Sequence, residues 1–379
     1  MITRLYIDNF RTLVNFEIRF EAINLLLGAN GSGKSSVFDV LRRLRGFIGG
    51  ETRLAETFPS ADFTRWQTKP LQKFEIEVDT DDGVFIYTLV IEFFDDLTKS
   101  KVKEEKLTLK EKPAPSESLL FYSKEGEAHL HNDQGHEGPV VSFDWTQSGV
   151  GLLQERRDNK KLTAFKKYIE NITVVRPTPV LMESESQHEE KQLSLCMENF
   201  AAWYRYLTLE NPSACREIFD ELPGSVPGFF TLKSAEAGER RLLKADFQTS
   251  DISAKHTYLF ASLSDGQKML IAIYALILGN KERNACIFID EPDNYISIEE
   301  IQPWLRLFVD DCGRGERLEQ VVLISHHPEV IDYSCLGVPI WFEREQESHT
   351  RIRPIEQEEK GYDGPVLTLS QSIARKLVK

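Results

Sequence analysis

A glycine-rich segment between an apolar strand and a helix is the feature that most constrains the fold of this chain. Residues Gly28 to Ser35 fit the pattern G-x-x-x-x-G-K-[ST] without a mismatch. The preceding run, Ile23 to Leu27, has the pattern of a buried strand, and helical spacing starts at Ser36. Glycines let backbone N–H groups point at phosphate oxygens, and a helix N-terminus adds a favourable dipole. The segment therefore predicts an α/β fold with a phosphate-binding loop, the alternative being a glycine-rich turn with an incidental lysine.

The residues of this loop have predicted roles in binding a nucleotide. We expect Lys34 to reach the β- and γ-phosphates of ATP and to act in catalysis, and the Ser35 hydroxyl to bind Mg²⁺. The other predicted nucleotide contacts of the loop are Asn30, Gly31, Ser32, Gly33 and Ser36. ATP and Mg²⁺ are thus the ligands that the sequence predicts.

Two carboxylates follow a second apolar strand. The run Cys286 to Ile289 ends in Asp290 and Glu291. At the carboxyl end of a strand, Asp290 can hold Mg²⁺ through water, while Glu291 faces the γ-phosphate and polarises the attacking water. Adjacent acids are also common on protein surfaces, so the pair indicates catalysis only because the chain carries a phosphate loop as well.

A short polar motif precedes a long apolar helix. Residues Leu263 to Gln267 read Leu-Ser-Asp-Gly-Gln, and the apolar run Met269 to Leu278 follows. We expect Ser264 to cap the helix, Gly266 to permit a close approach, and the helix N-terminus to face an anion. Ser264, Gly266 and Gln267 are therefore candidate nucleotide contacts, with a plain helix cap as the alternative.

A pair of histidines follows a third apolar strand. The run Val321 to Ile324 ends in Ser325, His326 and His327. A neutral or protonated imidazole suits a contact with a γ-phosphate. His326 is the predicted catalytic residue and His327 the neighbouring alternative, and a structural role for both also stays open.

The order of these motifs predicts one composite domain. The chain has 379 residues, more than a typical single domain. We expect a nucleotide-binding core in two halves, residues 1–50 and 255–345. Period-two alternation predicts an antiparallel β lobe at about 70–150, and helical patterns predict an insertion at about 155–230.

Composition favours a cytoplasmic protein that does not enter a membrane. No stretch approaches the roughly 18 apolar residues of a membrane span, and the N-terminus lacks the pattern of a signal peptide. The cysteines are odd in number and form no close pair, which fits a reducing compartment. They are Cys196, Cys215, Cys286, Cys312 and Cys335. The net charge of −14 argues weakly against nucleic acid covering the whole surface but leaves room for a local basic groove.

One further cluster suggests a metal site. His129, His131 and His136 lie close together in the sequence. Glycines, Asn132 and Asp133 surround them, so a surface hairpin or loop is the favoured interpretation.

Taken together, the motifs resemble those of the SMC/RecF-like branch of ABC-type ATPases. The opening Leu5 to Arg11, followed by Asn24 to Gly28, matches the start of this branch. The segment Leu263 to Gln267 resembles the signature motif, with Asp265 where glycine is usual. The resemblance implies that this segment contacts ATP held by another protomer, so that a homodimer or higher oligomer closes around ATP. It also implies a γ-phosphate contact for His326 and a phosphate contact for Arg11.

Departures from that branch indicate a short member of it. Only 230 positions separate Lys34 from Ser264, too few for the long coiled coil of SMC proteins. The chain is more similar to short ATPases related to the overcoming-lysogenization-defect (OLD) family, and we expect no TOPRIM nuclease domain after it. The segment Asp293 to Ser297 replaces a Glu-x-x-Leu-His pattern, so dimer contacts there are expected to differ. For the glutamine that usually links the β lobe to Mg²⁺, the candidates are Gln147 and Gln154.

The leading functional prediction is an ATP hydrolase used as a dimerising switch. By resemblance, such a chain serves a bacterial anti-phage or toxin–antitoxin-like system and controls a separate nuclease or toxin. A DNA-binding ATPase of repair or maintenance is the second hypothesis. A scaffold that scarcely turns over ATP is a third, and a transporter motor is the least favoured.

Overall fold

Two compact units make up the described part of the chain in this computed structural model. The described residues are 1–112, 116–248, 255–280, 285–313, 318–333, 336–337, 339–346, 348–355 and 367–378. Within them, the first unit comprises residues 1–21, 28–172 and 340–354, and the second comprises residues 22–27, 173–339 and 355–379. The expected single composite domain, with its internal boundaries, stays a prediction.

The secondary structure follows the predicted alternation of strands and helices. The strands are β1 (Ile2–Asp8), β2 (Phe16–Arg19), β3 (Ile23–Gly28), β4 (Leu71–Thr80), β5 (Gly83–Phe94), β6 (Lys99–Glu111), β7 (Glu117–Lys124), β8 (Glu127–His131), β9 (Glu137–Ser142), β10 (Ile172–Val175), β11 (Glu185–Ser186), β12 (Phe229–Ala237), β13 (Arg240–Gln248), β14 (Lys255–Leu259), β15 (Ala285–Asp290), β16 (Leu318–Ile324), β17 (Ile340–Glu343) and β18 (Arg351–Arg353). The α-helices are α1 (Lys34–Ile48), α2 (Leu54–Thr57), α3 (Gly149–Leu152), α4 (Lys160–Glu170), α5 (Phe200–Glu210), α6 (Pro212–Glu221), α7 (Asp265–Gly279), α8 (Ile298–Gly313), α9 (Pro328–Ile331) and α10 (Leu369–Ala374).

The first unit is built on an eight-stranded antiparallel sheet. Its strands lie in the order β2-β1-β4-β5-β6-β7-β8-β9. Residues of β4 and β5 alternate between buried and partly exposed, as the period-two pattern of the sequence predicts. The two strands meet at a tight turn in which Thr80 pairs with Gly83.

Aromatic packing fixes one end of this unit. The rings of Phe58 and Phe74 lie 4.7 Å apart, and those of Phe10 and Phe74 lie 6.1 Å apart, all three side chains being fully buried. Burying an aromatic side chain of this size contributes roughly 1.5–3 kcal/mol. Helix α1 packs its own apolar face inward, including Val37, and so presents its N-terminus in a fixed position.

The second unit contains a parallel sheet. β16 lies between β15 and β3 and pairs in parallel with both, and β10 lies on the far side of β15. Every residue of β15 is buried, which explains its continuous apolar run. Asp290 pairs with Ile324, which in turn pairs with Leu26. The strands β15, β16 and β3 therefore end at one edge of the sheet. Asp290 lies in line with Leu26, two residues before Gly28.

Helix α7 forms the centre of the second unit. All its residues from Lys268 to Gly279 are buried, which is expected of a helix that is apolar on every side. The buried Lys268 ammonium donates to the Pro179 carbonyl at 2.8 Å and pairs with Asp265 at 2.9 Å, so its charge is compensated. A smaller antiparallel sheet of β11, β12, β13 and β14 completes the unit.

Two further observations concern the whole described part of the chain. The four cysteines within it form no disulfide with one another, while Cys335 lies outside the described residues. None of its helices is both long enough and apolar enough to cross a lipid bilayer.

A buried carboxylate ties the β lobe to α3. Glu105 is fully buried, and its Oε1 accepts hydrogen bonds from the hydroxyls of Tyr87 at 2.8 Å and Ser148 at 2.6 Å. Its Oε2 accepts from the backbone N–H of Gly149 at 2.7 Å. These hydrogen bonds therefore connect β5, β6 and the start of α3 through one carboxyl group.

We expect Glu105→Gln to destabilise the protein by about 1–3 kcal/mol, because the amide cannot accept hydrogen bonds on both sides and leaves a buried donor unpaired. The loss would be measured by chemical denaturation, with Glu104→Gln as the neighbouring control that is not fully buried. An unchanged denaturation midpoint in Glu105→Gln would contradict this role.

Candidate nucleotide-binding and hydrolysis site

The phosphate loop is shaped by glycines that serve different purposes. At Gly33, with φ of +102°, an added Cβ would lie 2.6 Å from Oγ1 of Thr350, so no side chain fits. At Gly31, with φ of +76°, an added Cβ would meet nothing within 4 Å. The chain itself therefore requires Gly33, whereas Gly31 leaves open space in which a ligand can approach the backbone.

The polar groups of the loop are arranged for an anion. The Lys34 side chain is buried, and its ammonium donates to the carbonyls of Gly28 at 2.6 Å and Ala29 at 3.1 Å. Ser32 is 2% exposed, and its hydroxyl has no hydrogen-bond partner among the described residues. A buried hydroxyl left unpaired costs about 1–3 kcal/mol, and a phosphate oxygen would satisfy it. Ser35 is exposed at the start of α1, where a hydroxyl can act as a metal ligand.

A segment that the sequence did not single out holds the loop in place. The backbone N–H of Thr350 donates to the Thr12 carbonyl at 2.8 Å, and its hydroxyl lies 2.8 Å from the Ser32 carbonyl. Arg344 donates to the Gly31 carbonyl at 3.2 Å. Neither residue belongs to a motif, so only their positions in the folded unit reveal these contacts.

Arg11 lies beside the loop but is already paired with carboxylates. It contacts Asp39 at 2.9 Å and Asp62 at 2.7 Å, and its φ is +50°. The predicted phosphate contact of Arg11 would therefore compete with two ion pairs. No sequence motif indicates this competition, since Asp62 stands 51 positions away along the chain.

A cavity of about 620 Å³ opens next to these residues, a size typical of small-ligand pockets. Its lining residues are Arg11, Thr12, Ala61, Phe63, Arg65, Trp66 and Arg344. The Arg344 guanidinium lies 5.5 Å from the centre of the Trp66 ring, within the range of a cation–π contact. The cavity thus combines aromatic surfaces with positive charge, which suits a ligand that has a planar ring and an anionic group.

The acidic pair stands at the end of β15, as predicted. Asp290 is 7% exposed and is the last residue of the strand. Glu291 has a left-handed φ of +55°, and its backbone N–H donates to the Ile324 carbonyl at 2.8 Å. Its carboxylate Oε2 accepts from the side-chain amide of Asn294 at 2.7 Å. Asp290 is thus buried, whereas Glu291 is half-buried and bound by Asn294, although the two acids are neighbours in the sequence.

The motif at the start of α7 caps the helix. The Ser264 hydroxyl accepts from the Gln267 backbone N–H at 3.3 Å, and the Gln267 side chain accepts from the Ser264 backbone N–H at 3.2 Å. The predicted helix cap at Ser264 is confirmed. Gln267 completes a capping box with it, which the sequence analysis did not predict. An added Cβ on Gly266 would lie 2.8 Å from the Tyr295 carbonyl oxygen. A larger residue at position 266 would therefore clash with the backbone of its own chain, which explains the glycine there.

The two histidines after β16 have separate surroundings. His327 accepts a hydrogen bond at Nδ1 from the Glu329 backbone N–H at 3.2 Å, and so caps α9. His326 is exposed at the carboxyl end of the sheet. His327 thus has a structural role in its own chain, and the predicted γ-phosphate contact of His326 stays a prediction.

The two glutamine candidates flank α3. The Gln147 side chain donates to Asp144 at 3.2 Å, just before α3, and Gln154 follows that helix. In α3, Gly151 packs against Gly50, beyond the C-terminal end of α1, whereas the phosphate loop precedes the N-terminal end of that helix. The role of either glutamine as a ligand near Mg²⁺ stays a prediction.

The histidine cluster of the β lobe makes local contacts. His129 Nδ1 lies 3.4 Å from Glu137 Oε1, and His131 Nδ1 lies 3.2 Å from the His129 carbonyl. Within the described ranges, no group of three histidine, cysteine or acidic side chains is arranged to hold a metal ion.

The phosphate loop after β3 and the acidic pair after β15 define the class of P-loop ATPases. The AAA ATPase domain family matches residues 1–221, more than half of the chain, and the chain belongs to this family. A second family, described as AAA domain, putative AbiEii toxin, Type IV TA system, matches residues 225–332. The protein is accordingly a nucleotide-binding ATP hydrolase.

Two other comparisons complete this description. No curated protein sequence matches the chain. Among solved structures, the SMC head domain from Thermotoga maritima is similar with a TM-score of 0.47 and 13% identity, over 94% of this chain and 99% of that one.

We expect Thr350→Val to weaken ATP binding about three- to tenfold, because valine has a similar shape but cannot hydrogen-bond the phosphate loop. Thr350→Ser keeps the hydroxyl and serves as the control. Titration with a fluorescent ATP analogue would measure both dissociation constants, and melting temperatures would verify folding. Equal affinity in Thr350→Val and the wild type would show that this contact does not shape the loop.

Proposed function

We propose that this ATPase is a dimerising switch whose closed state requires ATP and Mg²⁺. The observation that carries the proposal is the start of α7, where the exposed Ser264 and the half-buried Gly266 form a capped helix N-terminus resembling the ABC signature motif. A capped N-terminus directs backbone N–H groups and a favourable dipole at an anion. In the closed state, Ser264, Gly266 and Gln267 of one protomer contact the γ-phosphate of ATP bound by its partner.

The phosphate loop supplies the binding half of the mechanism. Backbone N–H groups of the loop, from Asn30 to Ser36, surround the phosphates, and the Ser32 hydroxyl gains the partner that it lacks. Lys34 exchanges its two carbonyl acceptors for the β- and γ-phosphates. The neighbouring cavity provides the rings of Phe63 and Trp66 as surfaces for the nucleobase.

Ser35 and Asp290 are the proposed ligands of Mg²⁺. Ser35 offers a hydroxyl and Asp290 a carboxylate, and each is a hard oxygen ligand of the kind that this ion prefers. Bound there, Mg²⁺ would neutralise negative charge on the β- and γ-phosphates. Glu291 orients the attacking water and accepts its proton, and His326 contacts the γ-phosphate. Loss of the γ-phosphate removes the contacts between protomers, so hydrolysis reopens the dimer.

The switch is proposed to control a separate effector, a nuclease or toxin, in a bacterial anti-phage or toxin–antitoxin-like system. The match of residues 225–332 to a family described as a putative AbiEii toxin of a type IV system supports this setting. A relationship to the OLD family remains a prediction from the sequence.

We expect Glu291→Gln to bind ATP with wild-type affinity, to lose about 10²- to 10⁴-fold in kcat, and to accumulate as an ATP-dependent dimer, because only proton acceptance is removed. Mass photometry with and without Mg-ATP, and a phosphate-release assay on the same samples, would measure these effects. Lys34→Ala is the control that should neither bind ATP nor assemble.

A mass that stays monomeric with ATP, in wild type and Glu291→Gln alike, would refute the dimerising switch. Salt-sensitive DNA binding that strengthens with ATP would instead favour the DNA-maintenance hypothesis.

A further inference from the structure

The segment that follows the acidic pair is held rigidly at both ends. At one end, the backbone N–H of Glu291 is bound to the Ile324 carbonyl at 2.8 Å. At the other, the Tyr295 carbonyl packs closely against Gly266. Between them, Asp293 is 8% exposed and accepts a hydrogen bond from Ser325, and burial raises the pKa of its carboxyl. We call residues 291–295 the catalytic turn.

The backbone of this turn is in a conformation that side-chain-bearing residues avoid. Glu291 has φ of +55° and Tyr295 has φ of +71°. Such conformations persist when surrounding contacts fix them, and they occur often at functional sites. The anchors at Ile324 and Gly266 are such contacts, so the turn presents Glu291 from a fixed backbone.

A single side chain of the turn reaches the carboxylate of Glu291. The Asn294 amide nitrogen donates to Oε2 at 2.7 Å, a short distance that is typical of a hydrogen bond to a charged acceptor. The bond occupies one carboxylate oxygen and leaves Oε1 for a water molecule. An amide neither gains nor loses a proton near neutral pH, so Asn294 cannot itself take the proton of that water.

We infer that Asn294 is a positioning residue for Glu291, whose carboxylate it orients toward the attacking water. The inference rests on the proposed role of Glu291 in hydrolysis. Nothing in the sequence motif indicates it, because Asn294 falls where this chain departs from the pattern of its relatives. A hydrogen bond that merely stabilises the turn is the competing explanation.

The first test removes the donor while keeping the size of the side chain. We expect Asn294→Leu to lower kcat about 5- to 20-fold, as loss of a hydrogen bond to a charged group does, with an unchanged KM for ATP. Melting temperature and ATP affinity are measured alongside. A wild-type kcat in a folded Asn294→Leu variant overturns the inference.

The second test places a negative charge beside Glu291. In Asn294→Asp the donor is lost and the two carboxylates repel each other, so kcat should fall further than in Asn294→Leu, with an unchanged KM for ATP. Ser297→Asp is the matched control, since it adds the same charge at an exposed residue nearby. A wild-type kcat in a folded Asn294→Asp variant overturns the inference.

A double-mutant cycle separates failure of this inference from failure of the proposed function. If Asn294 acts through Glu291, Asn294→Leu causes no further loss in single-turnover hydrolysis by Glu291→Gln. A full additional loss in that background overturns the inference. Wild-type turnover by Glu291→Gln itself would refute the proposed catalytic role of Glu291, and with it the basis of the inference.

Discussion

Parallel hydrogen bonding among β3, β16 and β15 is the constraint on which the site depends. The ladder aligns Leu26, Ile324 and Asp290 side by side, although about 260 positions of sequence lie between the first and the last. Parallel strands end at a common edge, and their polar residues follow directly after the buried runs. The phosphate loop continues from β3, the acidic pair ends β15, and the histidines follow β16. A shift in this register would move Asp290 out of line with Ile324 and Leu26 at the edge of the sheet.

Close backbone contacts add a second level of control. A Cβ on Gly28 would lie 2.2 Å from the Phe342 carbonyl oxygen, and Thr350 hydrogen-bonds the loop near Ser32. These contacts shape the phosphate loop before any nucleotide arrives, which lowers the ordering cost of binding. At the same time, the unpaired Ser32 hydroxyl and the open space beside Gly31 remain for the ligand. The loop is therefore rigid where it meets its own chain and open where it meets phosphate.

The sequence predicted those parts of the site that depend on local pattern. The apolar runs before Gly28 and Asp290 indicated β3 and β15, because fully buried parallel strands need continuous apolar residues. The cap at Ser264 followed from residue type alone. The sequence did not reveal Arg344 or Thr350, whose contacts arise only when residues 340–354 fold against the start of the chain. Nor did it reveal the carboxylates around Arg11, because they are not encoded in a short motif.

The packing of Gly266 against the Tyr295 carbonyl links the start of α7 to the catalytic turn within one chain. The start of α7 cannot move toward a partner without either carrying the catalytic turn along or opening this contact. If a second copy docks at the start of α7, as proposed above, this contact would transmit the effect to Glu291 through the backbone of the same chain. Dimer formation and ATP hydrolysis would then be coupled within each subunit, and a bulky residue at position 266 would impair both.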